Sequence, residues 1–283
     1  MPTLEVNNRE LHYLDEGEGP TLLFGHSYLW DSTMWRQQLA ALRTSYRCLV
    51  PDLWGHGQSA PLIAPLTEPP SIQSLADDHW ALLQALDIER CCLIGLSVGG
   101  MWGVQLALDH PEAIERLVIM DSFVGEEPPA PQQAYLQILD MVEQAGTLLP
   151  PLIDQLIPLF LSPVTMEEQP DLGAEFQHAL ANLPAENIPT LVALGRCIFQ
   201  RKDRMAALAQ LKMPALVLVG ELDQPRPPQE AKAMTDALEQ ATCQVIAQAG
   251  HISALEQPEK VNRALQAFLG ACYSGNAPLS QTS

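Results

Sequence analysis

Gly95-Leu96-Ser97-Val98-Gly99-Gly100 follows directly on the strand-like run Arg90-Cys91-Cys92-Leu93-Ile94. The segment reads as strand, sharp turn and helix, with the pattern G-x-S-x-G at the turn. A Cβ at Gly95 or Gly99 would crowd so tight a turn, and Ser97 is held in a strained backbone conformation with its hydroxyl exposed. A serine in this setting points to covalent catalysis.

The flanking sequence alternates strands with helices. Leu4, Val6, Leu11 and Tyr13 alternate around Asn7-Asn8 as a hairpin does. Thr21–Phe24 predicts a strand ending at Gly25-His26-Ser27-Tyr28, and residues 34–43 a helix. Arg47–Val50 predicts a strand ending at Pro51-Asp52, before the turn Trp54-Gly55-His56-Gly57. Residues 71–86 have the period of an amphipathic helix. The helix from Val98 to about Asp109 is apolar nearly all round, which places it centrally. Leu117–Met120 is a further strand, ending at Asp121.

Residues 123–204 break this rhythm. They hold no strand pattern, and prolines such as Pro150, Pro163, Pro170 and Pro184 divide them into helical segments. Strand and helix then resume: Ala215–Val219 ending at Asp223, a helix over about 228–239, Cys243–Ile246 ending at His251, and a closing helix opened by Pro258. The tail after Tyr273 is polar and expected to fray. The expected fold class is α/β: a mostly parallel twisted sheet with helices on both faces. Residues 1–122 and 205–283 form the core, and 123–204 a helical cap inserted at the strand tips, the edge where ligands bind.

Composition narrows the function. The chain has 283 residues, 47% of them hydrophobic, and a formal charge of −19. That charge argues against nucleic acid or an anionic membrane as partner. No stretch is apolar enough to span a membrane, and no signal pattern opens the chain, so a cytoplasmic location is expected. The cysteines Cys48, Cys91, Cys92, Cys197, Cys243 and Cys272 show no metal-type spacing. They are read as reduced core thiols, and neither metal nor organic cofactor is expected.

A serine hydroxyl needs a base beside it. His251 follows the last strand at the same sheet edge as Ser97 and is the candidate. His26 stands where an oxyanion loop begins, and His56 lies in a Gly-rich turn that it can tie together. The base needs a carboxylate, and Asp223 and Asp121 both end strands after Ser97. Asp223 is nearer, one strand–helix–strand unit from His251. Acyl transfer also needs two N–H donors for the oxyanion. Val98 supplies one, and the loop after Thr21–Phe24 supplies the other at Ser27 or Tyr28.

With these residues assembled, the chain resembles the α/β-hydrolases of the small-molecule esterase, enol-lactonase and non-haem peroxidase branch along nearly its whole length. His26-Ser27-Tyr28 with Trp35 resembles the family's His-Gly-aromatic loop. Asp52-Leu53-Trp54-Gly55-His56-Gly57-Gln58-Ser59 resembles its Asp-x-x-Gly-x-Gly-x-Ser turn. The elbow Gly95–Met101, His110-Pro111-Glu112, Gly220–Asp223 and Gly250-His251 match further motifs. The resemblance implies Ser97 as nucleophile, Asp223 as acid, His251 as base, and the backbone N–H groups of Tyr28 and Val98 as oxyanion hole. The family's glycine after the loop histidine is Ser27 here. A serine at the elbow, not an aspartate, speaks against haloalkane dehalogenase or epoxide hydrolase chemistry.

Leu29, Trp30, Trp102, Phe123, Phe160 and Phe199 are candidate pocket residues, with Met166 from the cap. They suit a small to medium uncharged ester or lactone as the partner. Arg196, Arg201 and Lys202 are the only basic cluster near the expected pocket. Two alternatives stand beside the serine ester hydrolase: a C–C bond hydrolase or lyase on the same fold, and a ligand-binding sensor that keeps the triad for recognition.

Overall fold

The computed structural model describes residues 2–7, 9–62 and 68–273, with side chains to residue 270. Asn8, the tail after Tyr273 and the side chain of Cys272 lie outside the described residues.

Strands β1 (Thr3–Val6) and β2 (Arg9–Glu16) form the expected hairpin, and β3 spans Thr21–Gly25. A 3-10 turn, Ser32–Trp35, leads into α1 (Arg36–Leu42) and then β4 (Arg47–Pro51). Helix α2 (Ile72–Ala85) starts at a capping box, in which Ser71 and Ser74 satisfy each other's backbone N–H groups. Next come β5 (Cys91–Leu96), α3 (Val98–Asp109) and β6 (Ile114–Met120). Between β6 and the next strand lie α4 (Pro129–Ala145), α5 (Pro150–Phe160), α6 (Pro163–Glu168), α7 (Pro170–Ala181) and α8 (Ile188–Phe199). Four of these five begin with a proline, and three of those prolines, Pro150, Pro163 and Pro170, are among the expected breakers, because a helix's first turn has no use for that N–H. The chain closes with β7 (Ala215–Gly220), α9 (Pro228–Ala237), β8 (Ala241–Ile246), the single turn α10 (Ser253–Glu256) and α11 (Pro258–Tyr273).

The eight strands form one sheet in the order β1-β2-β4-β3-β5-β6-β7-β8. β1 and β2 pair antiparallel, as do β2 and β4, and the remaining pairs are parallel. The inner strands are apolar on both faces because both faces are covered. On β5, Cys91 and Leu93 join the core on one face, while Cys92, Ile94 and Leu96 join the core on the other. The chain leaves β3 toward β4 on one side and leaves β5 toward β6 on the other. Their carboxyl ends therefore flank the crevice at the topological switch point.

Helix α3 lies unusually close to this crevice. Gly25 pairs with Gly95, and a Cβ on Gly99 would collide with the Gly25 carbonyl. The absence of side chains here lets α3 start directly above the strand tips.

β8 corrects one expectation. It is an edge strand, begins at Ala241 and leaves Thr242–Val245 exposed. Cys243 is therefore not a core thiol, while Cys48, Cys91, Cys92 and Cys197 are buried and form no disulfide. Burial pushes the Cys48 and Cys197 thiols up to about 12, far from a reactive thiolate.

Candidate active site

Ser97 stands between β5 and α3 with φ 57 and ψ −118, a conformation outside the helical and extended regions. Such strain costs on the order of 1–3 kcal/mol and persists only where the surroundings impose it. Here the Ser97 N–H donates to the Met120 carbonyl at 2.8 Å, and the Ser122 hydroxyl donates to the Ser97 carbonyl at 2.7 Å.

The tips of β7 and β8 bring two further side chains to this point. His251 Nε2 lies 2.9 Å from Ser97 Oγ. Its Nδ1 lies 2.9 and 3.1 Å from the two carboxylate oxygens of Asp223. All three residues are at least nine-tenths buried. With Nδ1–H directed at Asp223, Nε2 presents its lone pair to the hydroxyl, the tautomer that proton abstraction needs. The Arg226 N–H also donates to Asp223 Oδ1 at 2.9 Å, which fixes the carboxylate.

Asp121, the other carboxylate considered, is occupied elsewhere. It accepts from the Gly220 N–H at 2.7 Å and from the Ser253 hydroxyl at 2.5 Å, tying the tips of β6 and β7 together. Complete burial and the nearby charge of Asp223 hold its carboxyl well above the usual range.

The loop after β3 is pinned by two imidazoles. His26 Nε2 accepts from the Leu53 N–H at 2.8 Å, and its Nδ1 meets the Ser27 carbonyl at 2.7 Å. His56 Nε2 accepts from the Leu29 N–H at 3.2 Å, and its Nδ1 meets the Trp54 carbonyl at 2.9 Å. Burial lowers the His56 pKa to about 3, so the ring stays neutral and able to accept. The left-handed residue of this loop is Leu29, at φ 67; Ser27 is not in that region. The serine in place of glycine thus needs no unusual backbone angle. Among the described residues, neither the Tyr28 N–H nor the Val98 N–H has a protein acceptor. Val98 opens the N-terminus of α3, where unsatisfied N–H groups attract negative charge.

Above Ser97 and His251 lies a cavity of about 910 Å³, its open mouth included. Its walls are mostly apolar: Ile138, Leu139 and Val142 of α4, Leu156 and Phe160 of α5, Leu191 and Phe199 of α8, with Leu29 and Met101. The Tyr28 hydroxyl donates to the Leu191 carbonyl at 2.7 Å and ties the loop to α8.

Of the candidate pocket residues, Leu29, Phe160 and Phe199 line this cavity, but Trp30, Trp102 and Phe123 do not. The left-handed turn at Leu29 swings Trp30 away, onto the ring of Phe176 at 4.2 Å. On α3 it is Met101, one turn beyond Ser97, that faces the cavity. Trp102 is rotated by the helical step toward Gly25 and stacks on His79 at 3.7 Å. Phe123 packs over Gly125. Met166 is partly exposed on α6 and also lies off the cavity.

The basic cluster is likewise dispersed. Arg196 pairs with Asp140 and Glu143 near the surface. Arg201 is buried against Glu127 at 2.9 Å. The cation that borders the cavity is Arg226, which sequence reasoning missed. Both Glu127 oxygens accept from it, at 2.6 and 2.7 Å. Three residues beyond Asp223, it carried no motif that distinguished it.

Glu256 was also missed. It is 1% exposed and accepts four hydrogen bonds. Oε1 takes the N–H groups of Gly250 and Ile252, at 2.9 and 3.1 Å. Oε2 takes the Ser162 N–H at 2.8 Å and the Thr165 hydroxyl at 2.7 Å. The His251 N–H itself donates to the Phe160 carbonyl at 3.0 Å. The loop bearing His251 is therefore fastened to the α5–α6 junction.

Comparison with known proteins agrees with this architecture. The family profile described as alpha/beta hydrolase fold matches residues 20–258. The chain is 27% identical to 3-oxoadipate enol-lactonase 2 of Acinetobacter baylyi, covering 94% of this chain and 96% of that protein. It is 29% identical to a putative carbamate hydrolase RutD of Pseudomonas syringae pv. syringae, covering 92% and 97%. Among solved structures, a thermophilic esterase from Thermogutta terrifontis superposes with a TM-score of 0.86 at 27% identity, covering 95% of this chain and 98% of that one.

Proposed function

The chain belongs to the α/β-hydrolase fold family, and on that footing we propose that it is a serine hydrolase that opens a small to medium carboxylic ester or lactone through an acyl-enzyme. The observation that carries this reading is the line Ser97 Oγ–His251 Nε2–Asp223, with contacts of 2.9 Å at each step. The likeness to an enol-lactonase, a putative carbamate hydrolase and an esterase supports hydrolysis of a lactone, carbamate or ester bond.

In this mechanism His251 Nε2 takes the Ser97 proton as Oγ bonds to the substrate carbonyl carbon. The carbonyl oxygen becomes an oxyanion and accepts from the Tyr28 and Val98 N–H groups. Asp223 orients the imidazole and stabilises the imidazolium that forms. His251 then gives its proton to the departing alkoxide as the C–O bond breaks. Water repeats the attack on the acyl-enzyme and regenerates Ser97. Residues 123–204 act as the cap that walls the acyl pocket and excludes bulk water.

Hydrolysis of p-nitrophenyl esters by the wild type and Ser97→Ala tests the reading. Loss of a nucleophile of this kind costs on the order of 10⁶ in kcat. Turnover that survives Ser97→Ala, or no turnover of any ester or lactone by the wild type, contradicts it.

A further inference from the structure

Helix α4 has apolar residues on two neighbouring faces, and each face borders a different cavity. Tyr135, Ile138, Leu139 and Val142 line the cavity over Ser97. Val142 also borders a second, outer cleft of about 500 Å³, its open mouth included, together with Met141, Leu149, Pro151 and Leu152. The chain divides in the same way beyond the helix: Leu148 faces the inner cavity and Leu149 the outer one. Val142 is thus the side chain common to both.

Two residues of the outer cavity are unusually exposed for their type, Met141 at 54% and Leu149 at 48%. Together with Val142 they continue the apolar lining of the inner cavity outward. The inner wall from Tyr135 to Val142 runs roughly 10 Å along the helix at its usual rise per residue. That is the reach of a medium-length alkyl chain starting near Ser97.

We infer that the outer cavity between α4 and α5 is a distal subsite for the end of a linear alkyl chain, which passes beside Val142 while its carbonyl stands at Ser97. The substrate class is therefore esters of unbranched, medium-length acyl chains, with Val142 setting how freely the chain passes. The assignment of the carbonyl to Ser97 rests on the acyl-transfer reading above; binding of the chain does not.

Two measurements separate these claims. The first is calorimetric titration with unbranched alkanols from butanol to dodecanol, which needs no catalysis. Each methylene that enters the protein should raise affinity about fourfold. The wild type should keep gaining through dodecanol. Val142→Phe, which plugs the passage, and Leu149→Asp, which charges the outer cavity, should stop the gain at shorter chains. Leu149 is the N-cap of α5, a position that favours aspartate, so this variant retains its helix. The second is the ratio of kcat/KM for p-nitrophenyl decanoate to that for the acetate, taken within each protein so that a general loss of activity cancels. It should fall at least tenfold in both variants.

Alkanol profiles that coincide in wild type, Val142→Phe and Leu149→Asp would overturn the subsite, even if esters are hydrolysed. Profiles that diverge as described, with no ester turned over, would uphold the subsite and overturn the reaction assigned to Ser97.

Discussion

Glu256 grips the backbone on both sides of His251 without touching its ring. One carboxylate oxygen takes the N–H groups of Gly250 and Ile252, and the other reaches across to Ser162 and Thr165. The position of the imidazole therefore depends on a buried carboxylate that also anchors the segment over the cavity.

Glu256→Ala should strand these four donors, each at a cost of about 1–3 kcal/mol if it stays dry. The expected result is a stability loss of several kcal/mol, read by urea denaturation, and a fall in kcat of at least tenfold at temperatures where the variant remains folded. Wild-type kcat in a folded Glu256→Ala protein would show that the His251 loop holds its place without this grip.

Asp223 and Asp121 end neighbouring strands and are both buried, yet their environments differ. Asp223 contacts His251 Nδ1, whereas Asp121 is held between Gly220 and Ser253. Asp223→Asn should lower kcat by about 10⁴, the loss expected when the carboxylate no longer selects the imidazole tautomer. Asp121→Asn should stay within about tenfold of wild type. Burial and the charge of Asp223 already favour a neutral carboxyl there, and an amide can accept from Gly220 and donate to Ser253 equally well. Steady-state kinetics of the two variants decide the matter, and a reversed order of effects would transfer the acid role to Asp121.

His79 lies beneath the site, stacked on Trp102, with Nδ1 2.6 Å from the Leu75 carbonyl. Burial pushes its pKa down to about 4, against about 6.5 in an unfolded chain. Between these values the unfolded chain binds the extra proton. The stability that neutral His79 contributes is thus complete above pH 6.5 and is lost as pH falls toward 4. His79→Phe should remove this dependence. From pH 6.5 to 4 the wild type should lose about 1.4 kcal/mol per pH unit more than the variant, measured by urea denaturation at each pH. Parallel stability curves would contradict it.

The elements that position Ser97, Asp223 and His251 were legible because each leaves a local mark: an apolar strand, then a turn residue, at a regular spacing. The pocket was less legible because its walls depend on rotations about helix axes and on one backbone turn. Trp102 and Met101 are adjacent in sequence, and only the phase of α3 decides that Met101 meets the cavity. Trp30 is turned away by Leu29, whose positive φ has no sequence signature. Glu256, Arg226 and Glu127 were hidden for another reason. Arg226 pairs with Glu127 and Glu256 reaches Ser162 and Thr165, all distant in sequence, and a lone charged residue ordinarily reads as solvated surface.

The central claim is that His251 activates Ser97, and the most direct measurement is the intact mass of the protein after incubation with a fluorophosphonate. The account predicts one covalent adduct located by peptide mapping at Ser97, absent in Ser97→Ala and formed far more slowly in His251→Ala. An unmodified wild type, or an adduct that persists in Ser97→Ala, would contradict it.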